Sequence, residues 1–532
     1  MESIKGYQRV VIEKVSPKVD GSRFPAKAIA GDAVYVEADI YADGHDTLLA
    51  YLLYRRAEDK SWIETPMRCL VNDRWRGAFT ADEAGSYVFN ITAWVDAFQT
   101  WRSDLLKRVS AEEKDLDNQF ISGAALIAEA AKRAGAPDAQ KLNDLAIAIK
   151  SSKASRNKRI SVALSSELNC MMEKYADRST ASTYHPVAVI AERERAGYGA
   201  WYEMFPRSVA ENAEKHGTFK DCEKRLPYIA GMGFDVLYLP PIHPLGHTCR
   251  KGKNNSVTSK PEDPGTPWAI GSEEGGHKDI NPQLGTIEDF KHLISAAKDH
   301  NIEIALDMAF QCSPDHPWVK EHPEWFLHRP DGTVQYAENP PKKYQDIYPL
   351  DFEGENWRGL WEELKSVVCY WAEQGIRIFR IDNPHTKPFD FWEWLIREVK
   401  KEYPDAIFLA EAFTRPKVMY RLAKVGFTQS YTYFTWRNTR QELTDYLNEL
   451  TMTDIKDFFR PNFWPNTPDI LHEFLQKGGR PAFITRLVLA ATLCSSYGIY
   501  GPAYELCENM PREPGSEEYL NSEKYEVKHW DI

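Results

Sequence analysis

The sequence predicts an α/β protein, a (β/α)8 TIM barrel preceded by an N-terminal β-sandwich and a helical insert. Three observations carry that reading. Residues 1–103 hold short runs that alternate apolar and polar side chains. Residues from 104 to about 183 are rich in Ala, Leu, Lys and Glu at helical spacing. From about residue 195, eight short apolar runs follow, separated mostly by amphipathic stretches, which is the pattern of a closed parallel barrel.

In chain order, Val34, Val36, Ala38 and Ile40 alternate with Tyr35, Glu37, Asp39 and Tyr41, and Tyr87, Phe89, Ile91 and Ala93 alternate again after the turn-like DEAGS at 82–86. A period of two places one set on a buried face, so 1–103 is expected to be an immunoglobulin-like sandwich. The helical insert is assigned to 104–190, with AALIAEAAKRAGA and QKLNDLAIAIKSS parted by the Gly-Ala-Pro break at 135–137. The catalytic barrel takes 191–532. Its runs lie at 200–206, 234–240, 302–309, 376–382, 406–413, 428–434, 461–470 and 497–501. A doubly wound open sheet is the rival, but no GxGxxG follows the first run, so dinucleotide binding lacks its fingerprint. The stretch at about 310–354, rich in Pro, His, Trp and Tyr, is expected as a loop subdomain where barrel function resides.

The net charge of −12, from 66 basic and 78 acidic residues, offers no basic excess to displace counterions. No nucleic acid and no anionic membrane are expected as partners. No apolar run is long enough to span a bilayer, and the N-terminus lacks a signal-peptide core. The eight cysteines are scattered without CxxC spacing, so reduced thiols in a cytoplasmic protein are expected, with no metal and no organic cofactor.

The chemistry concentrates at the ends of three runs. With a period of two, Ile378, Arg380 and Asp382 share a face of the fourth run. The fifth run delivers Glu411 and the seventh Asp469 to the same rim. Taken singly, each acid reads as a rim salt-bridge partner. Together they suit glycosyl transfer, with one carboxylate attacking the anomeric carbon, one acid moving the proton and one holding sugar hydroxyls. Arg380 beside Asp382 would keep that nucleophile ionised.

FRIDNPHTK (379–387), FLAEAF (408–413), NTPD (466–469) and ALDMAFQCSPDHPW (305–318) resemble the four sequence regions of the α-amylase superfamily. Gln311-Cys312 stands where most members have Asn-His, and Pro468 stands where most have His. Those departures, with YAENPPKKYQDIYPLDF (336–352), GTPWAIGSEEGGHKDINPQLGT (265–286), FDVLYLPPIHPLG (234–246) and KGKNN (251–255), resemble the α-1,4-glucan:maltose-1-phosphate maltosyltransferases.

The resemblance implies a retaining double displacement with Asp382 as nucleophile, Glu411 as acid/base and Asp469 as transition-state stabiliser. It implies Asn339, Lys342, Tyr344 and Asn383 around a phosphate, with Arg380 beside them. Lys251, Asn255, Gln311, Lys524 and Tyr525 would hold a maltosyl unit. The partners implied are α-maltose 1-phosphate, an α-1,4-glucan acceptor, inorganic phosphate and a second copy in a homodimer. An α-glucan hydrolase or 4-α-glucanotransferase would use the same acids without releasing phosphate. A non-catalytic glucan-binding scaffold would not need all three. The family also implies a last helix and a C-terminal β-sandwich, which a chain ending at Asp531-Ile532 is expected to lack.

Overall fold

The computed structural model describes residues 8–212, 215–340 and 342–532, the side chain of Lys342 excepted. The chain divides into two units, residues 1–82 with 86–190, and residues 83–85 with 191–532.

In the first unit one sheet runs in the order Val11–Ser16, Ala33–Tyr41, Arg74–Thr80, Arg68–Cys69. The other runs Ala26–Ile29, Val187–Glu192, Gly85–Val95, Leu48–Arg56, Ile63–Pro66. Val34, Val36, Ala38 and Ile40 are buried while Tyr35 is 62% exposed, as the period of two requires. Five helices occupy 97–174 and form their own core around Trp101, Phe120, Ile127, Leu142 and Ile149.

Two boundaries differ from the expected 103 and 104–190. The first helix starts at Ala97, because the Asp96 carboxylate caps it by accepting from the Phe98 and Gln99 amides. At the far end, Ser182–Thr183 and Val187–Glu192 return to the sandwich sheet. The helices therefore interrupt the sandwich and do not simply follow it.

The second unit is the barrel. Its parallel strands, in chain order, are Gly199–Glu203, Val236–Leu239, Glu303–Met308, Ile378–Ile381, Ile407–Ala410 and Gln429–Ser430, with Ser496–Tyr500 pairing back onto the first. The seventh position is filled by 461–463. There the Asn462 amide donates to the Ser430 carbonyl at 2.8 Å and the Phe463 amide to the Ser496 carbonyl at 3.0 Å. The run expected at 461–470 is thus ladder-bonded only at its start. Pro465 and Pro468 lack the amides that a longer strand needs, and Thr467–Ile470 forms a turn instead. Closure also needs Gly498, where a Cβ would lie 2.3 Å from the Trp464 ring.

Outside the strands, helices bury one stripe each. Leu360, Leu364, Val367, Val368 and Trp371 do so on Trp357–Glu373, and Phe391, Trp392, Leu395, Ile396 and Val399 on Phe389–Glu402. Capping boxes at Thr218/Asp221, Thr286/Asp289 and Thr439/Glu442 fix where three helices start. The long third loop is ordered by two small pairings. Gln311–Cys312 meets Tyr348–Pro349, and Ala337–Asn339 meets Lys342–Tyr344.

Candidate active site

Asp382 follows the fourth strand and Glu411 the fifth, so parallel register brings both to the same end of the barrel. Arg380, one pleat below Asp382, holds them together. Its Nη1 donates to Asp382 Oδ1 at 2.8 Å and to Asp307 Oδ2 at 3.0 Å, while Nη2 lies 3.4 Å from Glu411 Oε1. Asn383 sits in the left-handed region, φ 43° and ψ 53°. That turn aims its amide at Glu411 Oε2, 3.1 Å away, and its side-chain Nδ2 at Asp382 Oδ2, 3.3 Å away. Lys387 braces the same turn, its Nζ donating to the Asp382 and Asn383 carbonyls.

One guanidinium facing three carboxyls, two buried and one partly so, cannot neutralise them all, and the three separate accordingly. Burial alone would raise Asp382, but Arg380 and Lys387 outweigh it and hold Asp382 below the usual carboxylate range. Burial pushes Glu411 up to about 7, reinforced by the Asp382 charge and opposed by Arg380. Asp307, fully buried, is likewise pushed up to about 7 by burial. The arrangement keeps one carboxylate ionised beside another poised to carry a proton.

These groups open into a cleft of about 1030 Å³. Lys251, Asn255, Gln311, Asn339, Tyr344 and Asn383 all line it. Asp469, Lys524 and Tyr525 line it too, with the Lys524 ammonium bonded to Asp469 and 4.8 Å above the Trp268 ring. Lys251 is 4% exposed, its Nζ donating to the Lys343 carbonyl. The side chain of Lys342 lies outside the described residues.

Arg380, expected among the phosphate- and substrate-binding residues and beside Asp382, is placed differently from the rest of that set. It is 5% exposed, does not line the cleft, and lies behind the carboxylates it bonds. A strand-interior position one pleat below the rim leaves the side chain inside the barrel.

Sequence reasoning missed several lining residues. Asp346 is 2% exposed with a buried Oδ1 that has no hydrogen-bond partner, and Phe413 stands two residues past Glu411. The loop 512–518 closes another side. Phe413 carried a signal in the FLAEAF motif itself, since an aromatic two residues past a rim acid shares its face. Nothing local marks 512–518.

His277, Cys312 and His316 are buried and place one donor atom each within 4.8 Å of one another, the spacing of a metal cluster. Their hydrogen bonds argue otherwise. His316 Nδ1 accepts from the Trp318 amide, so its Nε2 carries the proton and donates to His277 Nδ1 at 3.0 Å. His277 Nε2 in turn donates to the Ala309 carbonyl. Burial drives both rings neutral, His277 to about 3 and His316 to about 2. Every ring nitrogen is committed, so the cluster braces the base of the third loop and leaves no imidazole lone pair for a metal.

The α-amylase catalytic domain family matches residues 203–362, and with the barrel it defines the class: a TIM-barrel protein of the α-amylase superfamily. The family described as α-1,4-glucan:maltose-1-phosphate maltosyltransferase, domain N/S, matches residues 8–193. An enzyme of that name from Chlorobaculum tepidum is 53% identical over 99% of this chain and 78% of its own length. One from Methylacidiphilum infernorum is 52% identical over 99% and 79%. The chain belongs to the α-1,4-glucan:maltose-1-phosphate maltosyltransferase family. Among solved structures, a maltogenic α-amylase from Thermotoga neapolitana is similar over 62% of this chain and 72% of its own, at 23% identity and a TM-score of 0.48.

Proposed function

We propose that this enzyme moves maltosyl units from α-maltose 1-phosphate to the non-reducing end of an α-1,4-glucan, releasing inorganic phosphate. The observation that carries the mechanism is the shared guanidinium. Arg380 holds an ionised Asp382 next to a Glu411 whose proton affinity is raised. Asp382 attacks the anomeric carbon, Glu411 gives its proton to the departing phosphate oxygen as that bond breaks, and a β-linked maltosyl-enzyme forms. Glu411 then takes the proton from the acceptor's 4-hydroxyl as that oxygen displaces Asp382. Two inversions give net retention.

The leaving phosphate is received by Asn339, Lys342, Tyr344 and Asn383, because a dianion needs donors and cations more than it needs protonation. Lys251, Asn255, Gln311, Lys524 and Tyr525 hold the maltosyl hydroxyls, and Asp469, tied to Lys524, steadies the oxocarbenium-like ring. The name of the family supports the donor and acceptor, and Gln311-Cys312 in place of Asn-His separates this cleft from a plain hydrolase. We place the enzyme in cytoplasmic α-glucan (glycogen) synthesis, as a homodimer. Among the described residues no helix is long and apolar enough to cross a membrane.

The test is phosphate release from α-maltose 1-phosphate with and without maltohexaose, in the wild type and in Asp382→Ala. Acceptor-dependent release, products longer by two glucoses, and loss of both in the variant are expected. Cleavage or reshuffling of maltohexaose without phosphate chemistry would move the protein to the hydrolase or glucanotransferase reading.

A further inference from the structure

Lys524 and Tyr525 belong to a segment beyond the eighth strand, and no barrel element carries them. Something must hold that segment across the mouth, and the structure shows what does. Arg207, in the turn after the first strand, is 5% exposed. Its Nη2 donates to the Glu523 carbonyl at 2.6 Å, and its Nη1 donates to the Gly265 carbonyl at 3.0 Å. One side chain thereby joins the two walls of the cleft. Gly265 precedes Thr266 and Trp268 on the loop that also brings Lys251 and Asn255, and Glu523 directly precedes Lys524.

One further tie acts on the same pair of segments, and another anchors the second of them to the barrel. Asn254 Nδ2 donates to Asn521 Oδ1 at 2.9 Å, and the Asn521 amide donates to Asn254 Oδ1 at 2.6 Å. Both asparagines stand in the left-handed region, at φ 55° and 51°, which Asn tolerates better than other side chains. The Glu523 carboxyl is buried at 1% exposure and accepts from the Tyr500 hydroxyl and from Trp530 Nε1. The segment 521–530 is therefore a strap, fastened below by Arg207 and Tyr500 and at its edge by the Asn254–Asn521 pair.

We propose that Arg207 is the positioning residue that sets the distance between the two walls of the maltosyl pocket, with the Asn254–Asn521 pair as its latch. Neither touches substrate. Both act through Lys251, Asn255, Lys524 and Tyr525, so their loss acts on donor binding before chemistry. This rests on the reading of the cleft as a maltosyl pocket.

The experiment measures KM and kcat for α-maltose 1-phosphate in the full chain and in Arg207→Met, Arg207→Lys, Asn254→Ala, Asn521→Ala and the double Asn variant. Arg207→Met is expected to raise the donor KM about 10-fold or more, with a smaller fall in kcat. Arg207→Lys should recover part of that through one of the two carbonyls. Each Asn variant should raise KM about 3-fold, and the double variant no further, since both members form one tie. A folded Arg207→Met with unchanged donor KM overturns the proposal, as does a loss confined to kcat. If Arg207→Met does not fold, the Asn series decides, and unchanged or additive KM values overturn it. A wild type that releases no phosphate defeats the donor reading alone. Maltose titration calorimetry then replaces KM, and equal maltose affinity in wild type and variants overturns the strap.

Discussion

The strand ends and the loop walls of the cleft are built on different principles. Asp382 and Arg380 are buried and Glu411 is partly so; all three are fixed by barrel register and locked to one another, so their charges are set by each other. Asn339 and Tyr344 stand on the two arms of one hairpin in the third loop, while Lys251 and Lys524 come from other segments and are each held by a tie of their own. On the proposed assignment, reaction chemistry resides in a unit that fails together, while recognition is distributed over segments that can change separately. On barrels in general, loops vary while strand ends keep the catalytic groups.

The largest expected effect tests the first half of that contrast. Asp382→Ala removes the proposed nucleophile and should lower kcat by about 10⁵-fold, read as phosphate release. Glu411→Ala should lower transfer to maltohexaose by about 10³-fold, with a smaller loss in the first release of phosphate. Because Glu411 sits at about 7, kcat/KM for the donor should fall above that pH as its proton is lost, and Glu411→Gln should lack that limb. The same burial disfavours the ionised side chain in the folded state. The contribution of Glu411 to stability is full below the unfolded value of about 4.3 and is lost as pH rises through about 7. Glu411→Gln should accordingly gain melting temperature over wild type at pH 8 and not at pH 4. A parallel pH dependence in the two proteins would dissolve the claimed coupling.

Arg380→Met should cost about 10²-fold in kcat/KM and about 3–5 kcal/mol of stability, since it leaves buried carboxyls without their cation. It should also raise the pKa of Asp382, moving the acid limb of the rate profile to higher pH. Tyr344→Phe removes one donor from a loop wall. A fall of only about 10-fold, with stability unchanged, would mark the second half of the contrast.

How much of this was legible in sequence divides along the same line. The barrel strands and Asp382, Glu411 and Asp469 could be read because a strand's period and its end are local facts. Arg380 could be found and turned toward Asp382, but its bond to Asp307, distant in sequence, could not be read. The helix start at Ala97 was hidden by an apolar run that reads as continued strand until Asp96 caps the helix. The seventh strand was overextended through prolines that stop the ladder. Asp346, the loop 512–518 and Arg207 were invisible, because their partners are distant in sequence, as with Arg207 and Glu523.

Asn383 lies on the boundary between the two kinds of construction, and it gives the smallest and most discriminating prediction. Its amide serves Glu411 and its side chain serves Asp382, from a left-handed backbone. Asn383→Gly keeps that backbone without strain, so the amide bond to Glu411 persists, while the side chain's Nδ2 is lost both to Asp382 and to the phosphate it is proposed to receive. A fall of about 3–10-fold in kcat/KM with a near-unchanged melting temperature is expected. Asn383→Val loses the same side-chain bond but places a β-branched residue at positive φ, which adds about 1–2 kcal/mol of strain and pulls the amide from Glu411. If both variants lose the same activity, the turn contributes only its side chain. If Val is worse by a further order of magnitude, the backbone of this one residue belongs with the strand-borne chemistry rather than with the walls.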